Sequence, residues 1–475
     1  MTRLAALDGE GFYVEGARPV THSMVSASRI FDALDERNID VCYVHASALE
    51  RMGLPVELEP LRDRERPPPH EWLAGAGSRP SLAPSLARGE RELLVGAWQD
   101  GAGDPFAEAA DGAELLAAVV AFRDAFKTAK RPEGWAFMHT AAGTGWNLMH
   151  YPWSYGRRAR NLREQLLAPE ADMLGSSLRW SSDRGQVEVP YGGKWWRLNP
   201  HEAHDLKWTH AYDVNGQRLA ACSRLRLGVG EPRQLARGSS RIAAIEEGFP
   251  GYHLVSHIEH PWGERIPAIF EPGWHTTPRV KMALDLQVPV RIDESVVWPN
   301  SVAYLDPWYE AMRDARAQLL ANRLCEVNER GWKAYTLALG ALKQAYLQPL
   351  GRLRSAKAAA RNDRYYRPSW YDHVIGRELA VEYLRLHQLA ERDVQVLAVY
   401  FDAIVIESSE PDLYVAAPPP LEVSDQLGKY KPVGSIPTSK ARRALFGTAR
   451  SADPRVWTAP SADVGRLIKT IKANR

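Results

Sequence analysis

Short apolar runs open the chain. Leu4–Leu7, Gly11–Val14 and Val41-Cys42-Tyr43-Val44 read as strands, with a helical stretch from about residue 26 to 37 between the second and third. That alternation predicts a mixed sheet. Two Pro/Gly clusters follow, Arg66-Pro67-Pro68-Pro69 and Gly75-Ala76-Gly77-Ser78-Arg79-Pro80, and predict a long loop at about 62–90. Beyond it, 91–98 reads as a strand and 112–129 as an amphipathic helix, with Leu115, Leu116, Val119, Val120 and Phe126 near helical spacing. A mixed loop and strand region runs from 212 to about 305. Helices are predicted at 307–326, 331–347 and 373–389, followed by a hairpin of 394–401 and 405–408 around Asp402-Ala403-Ile404. That turn lacks Asn-Gly or Asp-Gly chemistry.

Composition adds bounds rather than detail. At 475 residues, 45% hydrophobic and 25% charged, the chain has the makeup of a globular protein of two to four domains. Its longest nearly uncharged apolar stretch, 115–122, is far short of the roughly 20 residues of a membrane span. The start meets Asp8 and Glu10 before any apolar segment of useful length, so no secretory signal and a cytoplasmic location are expected. Cys42, Cys222 and Cys325 are too scattered for zinc or disulfide chemistry and read as small buried hydrophobes. His201, His204 and His210, like His253, His257 and His260, have zinc-compatible spacing but no accompanying cysteine or H-E-x-x-H; in a chain with 14 histidines such clusters are expected. No Walker A or G-x-S-x-G sequence supports an ATPase or a serine hydrolase.

Charge is informative only when divided. Residues 1–350 carry 40 Lys and Arg against 44 Asp and Glu, whereas 351–475 carry 20 against 14. The excess lies in the last fifty residues, where Lys429, Lys431, Lys440, Arg442 and Arg443 are among eleven basic residues opposed only by Asp453 and Asp463. Such a segment suits a polyanion, or is a solvated tail. Upstream, Arg352, Arg354, Lys357, Arg361, Arg364 and Arg367 interleave with Tyr365, Tyr366, Trp370 and Tyr371, the combination that tracks phosphates and stacks on bases of single strands or a primer-template. A solvated helix face explains the first four spacings equally well. Between 130 and 212, Trp135, Trp146, Trp153, Trp180, Trp195, Trp196 and Trp208 form an aromatic-rich layer, read first as core filler.

Two segments could carry metal chemistry. Tyr212-Asp213-Val214-Asn215-Gly216 ends a strand with a carboxylate and a turn. Val399-Tyr400-Phe401-Asp402-Ala403-Ile404 offers a second carboxylate at a hairpin tip. Two-metal phosphoryl transfer needs carboxylates on adjacent strands that share ions roughly 4 Å apart.

The run from Asp213-Val214-Asn215 through Gly230-Glu231-Pro232 resembles motif A of the protein-primed family-B DNA polymerases of phages and linear plasmids. About 190 residues later, Tyr400-Phe401-Asp402 is similar to the family's Tyr-x-Asp-Thr-Asp-Ser hairpin, motif C. Between them Ala341-Leu342-Lys343-Gln344-Ala345-Tyr346 lies where the family has motif B, and Leu427-Gly428-Lys429-Tyr430 follows motif C as in the family. The resemblance covers about 213–445. It implies an α/β (α+β) fold, with an amino-terminal RNase-H-like, exonuclease-like domain at 1–208, polymerase-like palm and fingers at 209–425, and a basic thumb-like segment at 426–475. It further implies Asp213 and Asp402 as metal ligands, with Val214, Asn215, Arg218, Lys343 and Tyr346 around a nucleotide. Mg²⁺ or Mn²⁺ is implied if the site is active and none otherwise. The implied partners are DNA, single-stranded or primer-template, and a terminal or priming protein, in the nucleoid or an infected host cell.

Departures from the family pattern point to lost catalysis. The motif A tyrosine that gates sugars is replaced within Gly216-Gln217-Arg218-Leu219, and the motif B lysine and asparagine fall at Leu339 and Lys343. The second motif C aspartate falls at Ile404, which cannot bind a cation. Glu407 is the nearby carboxylate, but strand alternation turns it away from the face of position 404. In front, Leu7-Asp8-Gly9-Glu10 is similar to the exonuclease Asp-x-Glu, while the later Asn and Asp positions fall at Ala46 and about Glu50. The expectation is a DNA-binding polymerase-like pseudoenzyme in replication or end maintenance of linear DNA, telomere-associated by analogy. Two alternatives stand beside it: an active nucleotidyltransferase using Asp213, Asp402 and Glu407, and a protein-interaction module built on the tryptophans.

Overall fold

The computed structural model describes residues 3–18, 20–21, 41–45, 73–75, 79–83, 92–95, 105–135, 141–153, 194–196, 206–235, 238–262, 265–267, 271–355, 366–446 and 463–474, with a few single residues and pairs between them. The chain forms two compact units, one of Met1–Ser154 with Glu310–Leu350, the other of Tyr155–Tyr309 with Gly351–Arg475. The long helical tract divides between the units. Among the described residues no helix is long and apolar enough to cross a membrane.

The first unit is built on a seven-stranded mixed sheet. Leu4–Leu7 lies near its centre, antiparallel to Gly11–Val14 and parallel to Val41–Val44, which is in turn parallel to Glu92–Val95. Val20–Thr21 extends one edge. On the other side, Leu73–Gly75 and Arg79–Ala83 form an antiparallel hairpin inside the segment expected as loop. Pro80 explains that misreading: it suggests a break, yet a proline is tolerated in strands near a sheet edge. The helix Gly112–Asp124, N-capped by the Asp111 carboxylate accepting from Glu114 N at 2.7 Å, buries Leu115, Ala118, Val119 and Phe122 toward this sheet. The helix predicted at 26–37 lies outside the described residues, apart from its last two positions.

The second unit centres on a five-stranded antiparallel sheet. Its order is Tyr430–Pro437, Trp208–Val214, Ala403–Ser408, Gln395–Tyr400, Lys194–Trp196. One face carries Tyr212, Val214, Val399, Ile404, Ile406 and Tyr430, packed with Tyr383, Leu386 and Leu389 of the helix Pro368–Glu391 and with Val280 and Ala283 of the helix Thr277–Asp285. Ala211, Leu397, Ala398, Ala403, Val405, Val433 and Ile436 line the other face, covered by the helices Thr438–Phe446 and Val464–Lys472. Burial on both faces is why the strand Ala403–Ser408 opens on an unbroken apolar run of four residues, 403–406. Most of the described part of 426–475, expected as a thumb-like tail, is thus an edge strand and two covering helices of this sheet. A separate four-stranded sheet, Arg233–Gln234, Val290–Val297, Gly251–Ile258 and Gly273–Thr276, packs on the helices Ser239–Glu246 and Thr277–Asp285.

Candidate functional site

The pairing register assembles the site. Ala403 lies opposite Asp213 on one side and Lys431 opposite it on the other, so the strand ends bring together residues far apart in sequence. Tyr400 pairs with Ala403, which leaves Phe401 and Asp402 as a two-residue turn rather than the expected three. Two-residue hairpin loops require a positive φ, and here Phe401 supplies it at φ 54° while half exposed. The shift moves Ile404 out of the turn into the strand, where it is fully buried opposite Tyr212.

Asp213 and Asp402 meet at this corner. Asp402 is desolvated and faces the Asp213 carboxylate, to which its protonated carboxyl donates a hydrogen bond; together these push it up to about 7. Its carbonyl accepts from Val214 N at 3.2 Å, which fixes the turn on the strand. Lys431 Nζ completes the group, 2.7 Å from Asp213 Oδ2. Val214 is core, and Asn215, also buried, donates from Nδ2 to the Ser424 carbonyl at 2.7 Å and exchanges backbone hydrogen bonds with 428 and 429. Asn215 therefore shapes the loop that carries Lys429, whose ammonium pairs with Glu422.

Sequence reasoning missed the helix beside the corner. Arg218 Nε pairs with Glu378 Oε2 at 3.2 Å, and Gln217 Nε2 donates to Glu382 Oε2 at 3.4 Å. Burial raises both glutamates, Glu382 further because Glu378 and Asp402 add like charge. Arg385, one turn on, donates to the Gly428 carbonyl and sits over the Tyr430 ring at 4.9 Å. The available signal was the i, i+4 pair Glu378 and Glu382 on one face of the helix just before the hairpin.

Glu407 is not brought to the pair. It lies five residues along its strand from Asp402, about 17 Å at strand rise, buried opposite Thr209. Arg442 holds it bidentately, Nε to Oε1 at 3.0 Å and Nη2 to Oε2 at 3.1 Å. Arg442 is thereby spent on structure rather than on phosphate. Among the described residues no three of His, Cys, Asp and Glu stand close enough to hold a metal ion. The donor set does not fit the divalent cations that the motifs imply: Asp213 is paired with an ammonium, and position 404 is a core isoleucine.

Asp8 is also taken up by the fold. Its Oδ1 accepts from Glu10 N and Gly11 N at 2.7 and 2.8 Å, and its Oδ2 from Gly112 N at 2.7 Å. These bonds hold its carboxyl below the usual range against the opposing effect of burial. It ties the first hairpin to the start of a helix, while Glu10 is exposed. Ala46 and Glu50 lie outside the described residues.

The remaining basic candidates divide. Lys357, Arg361, Arg364 and Tyr365 lie outside the described residues. Arg352 and Arg354 are exposed, Arg354 stacking over Tyr371 at 4.2 Å. Tyr366 is half-buried, Arg367 is buried, and Trp370 is core, its indole donating to the Gly228 carbonyl at 2.8 Å, so these do not form an open stacking platform. Lys440, which donates to Asn474, and Arg443 are exposed, joined on the outer surface of the two covering helices by Arg466, Lys469 and Lys472. Lys343 is exposed and Tyr346 buried on the helix Glu329–Arg352, in the stretch assigned to the first unit. Two tryptophans of the aromatic-rich stretch are half-buried against other rings: Trp135 lies under Arg131 and edge-on to Tyr151, and Trp146 edge-on to His150. His210 and His253 are buried between hydroxyl and carbonyl partners; His201 and His204 lie outside the described residues.

The chain is similar to phi29 DNA polymerase complexed with primer-template DNA, at 11% identity and a TM-score of 0.43 over 92% of this chain and 85% of that one. Phi29 DNA polymerase complexed with single-stranded DNA gives 9% and 0.43 over the same shares. The family B DNA polymerase from the hyperthermophilic archaeon Pyrobaculum calidifontis gives 12% and 0.28, over 88% of this chain and 55% of that one. No protein-family model matches the chain. No curated protein matches it either.

Proposed function

We propose that the protein is a DNA-binding member of the polymerase-like palm architecture in which nucleotidyl transfer has been lost, acting in replication or end maintenance of linear DNA, with a priming protein as partner. One observation carries the reading: the sheet register sets Asp213 of one motif against Asp402 of another, while the position due to bear the second cation ligand is a buried isoleucine. Two motif carboxylates brought to adjacent strand ends, with an isoleucine where the next ligand is due, support the reading of a lost site. The order of the first sheet, an antiparallel meander continued by two parallel strands, supports an RNase-H-like domain in front; with Asp8 committed to backbone amides, that domain serves binding rather than cleavage. An active nucleotidyltransferase would need a further carboxylate beside Asp213, and Glu407 is paired with Arg442 well along the strand.

The exposed cations Arg352, Arg354, Lys440, Arg443, Arg466, Lys469 and Lys472 supply the phosphate contacts in this reading. Affinity for single-stranded and primer-template DNA, measured in EDTA, is expected to fall linearly in log–log form with salt. Each neutralised phosphate contributes roughly 0.7 to 0.9 to the slope. Replacing Arg443 and Lys469 together by glutamine should lower the slope by between about one and two. A salt-insensitive affinity, or none, would turn the reading toward protein partners.

A further inference from the structure

We infer that Lys431 is the built-in counter-cation of the Asp213–Asp402 corner, holding the place of a divalent ion so that the corner is assembled and neutralised without metal. The inference deepens the reading above and rests on it. Lys431 is placed by the sheet itself: it sits in register opposite Asp213 on the edge strand Tyr430–Pro437. Its ammonium reaches Asp213 Oδ2 at 2.7 Å while the lysine side chain remains 44% and the aspartate 23% exposed. An ion from solvent would therefore have access to that carboxylate and must compete with a tethered cation.

The neighbouring carboxylates do not help such an ion. Asp402 is bonded to Asp213, Glu378 is held by Arg218, and Glu382 takes the Gln217 amide on one oxygen. Mg²⁺ and Mn²⁺ demand several oxygen ligands around one point, and an ammonium bound to the Asp213 carboxylate occupies one of them.

Mn²⁺ binding to the full chain, followed by loss of the free-ion paramagnetic resonance signal, tests this. The wild-type protein should show no Mn²⁺ site that depends on Asp213. Lys431→Met should gain one, at least about tenfold tighter than any wild-type binding, because removal of a unit charge in contact with the carboxylate changes the local potential by more than that factor requires. Adding Asp213→Asn to that variant should abolish the gain. Lys431→Gln, which keeps a polar side chain, is read in the same way if the methionine variant does not fold. Wild-type Mn²⁺ binding that disappears in Asp213→Asn, or folded Lys431 variants with no gain, would overturn the inference. DNA binding by the wild-type chain in EDTA is measured alongside: its absence sinks the functional reading and leaves the Mn²⁺ result standing on its own.

Discussion

Arg442→Ala is expected to destabilise the protein by about 3–5 kcal/mol, the cost of leaving a buried carboxylate without its counter-charge. Glu407 has a side chain only 5% exposed, inside a strand that is buried on both faces, and both of its oxygens are bound by the one guanidinium. Removing that fork strips two charge-assisted hydrogen bonds at once and admits no easy relaxation, because the helix Thr438–Phe446 that carries Arg442 is packed through Ala441 and Leu445 onto the same sheet. The double variant Glu407→Leu with Arg442→Met should recover most of the loss, since well-packed apolar replacements of a buried pair are close to neutral. Urea midpoints of the two variants check this. An Arg442→Ala protein within about 1 kcal/mol of wild type would mean that Glu407 is solvated or otherwise engaged, and would reopen its candidacy as a metal ligand.

The second large effect is a pH dependence centred on the aspartate pair. Asp402 is raised to about 7 by burial and by the adjacent Asp213, whereas in the unfolded chain it titrates near its ordinary value of 3.8. Between roughly pH 4 and 7 the folded state therefore holds a proton that the unfolded state releases, so stability falls as pH rises through that window and the cost is fully present above it. At about 1.4 kcal/mol per unit the contribution is on the order of 4 kcal/mol. Glu378 and Glu382, also raised by burial, act in the same direction, so a single wild-type profile does not isolate Asp402. The difference between wild type and Asp402→Asn does. An asparagine amide can still donate to Asp213 but does not titrate; the variant should be the more stable protein at pH 8 and lose that advantage toward pH 4. Parallel profiles for the two proteins would contradict a shared proton at this corner.

Much of this architecture was legible from the amino-acid pattern. Strands at 4–7, 11–14 and 41–44, the helices at 112–124, 306–325 and 329–352 and the late hairpin all follow from short-range periodicity, which local sequence carries directly. Asp213 was legible because a carboxylate ends an apolar strand before an Asn-Gly turn. What stayed hidden depends on long-range or atypical choices. Asp402-Ala403-Ile404 looked like the turn because aspartate favours turns, whereas the chain places Phe401 at positive φ, a conformation that aromatic residues seldom adopt. Glu378 and Glu382 were overlooked because buried or half-buried glutamates are uncommon without partners, and theirs, Arg218 and Gln217, lie about 160 residues away. The carboxy-terminal segment was read from its charge, although Val464, Leu467, Ile468 and Ile471 mark a short amphipathic helix that covers the sheet. Asp8 illustrates the converse: a residue of catalytic type in the expected place, whose oxygens are filled by the backbone of its own turn and of residue 112.

In the proposed reading, the Asp213–Asp402 corner belongs to a DNA-binding palm-like unit that does not transfer nucleotides. The most direct test of that reading is one titration of primer-template DNA with purified protein, with Mn²⁺ and all four dNTPs present or absent, reading binding and primer extension in the same samples. The account predicts salt-dependent binding and an unextended primer under every condition. Template-directed extension that disappears on Asp213→Asn would contradict it, because it would require Asp213 to bind a cation in the place assigned to Lys431.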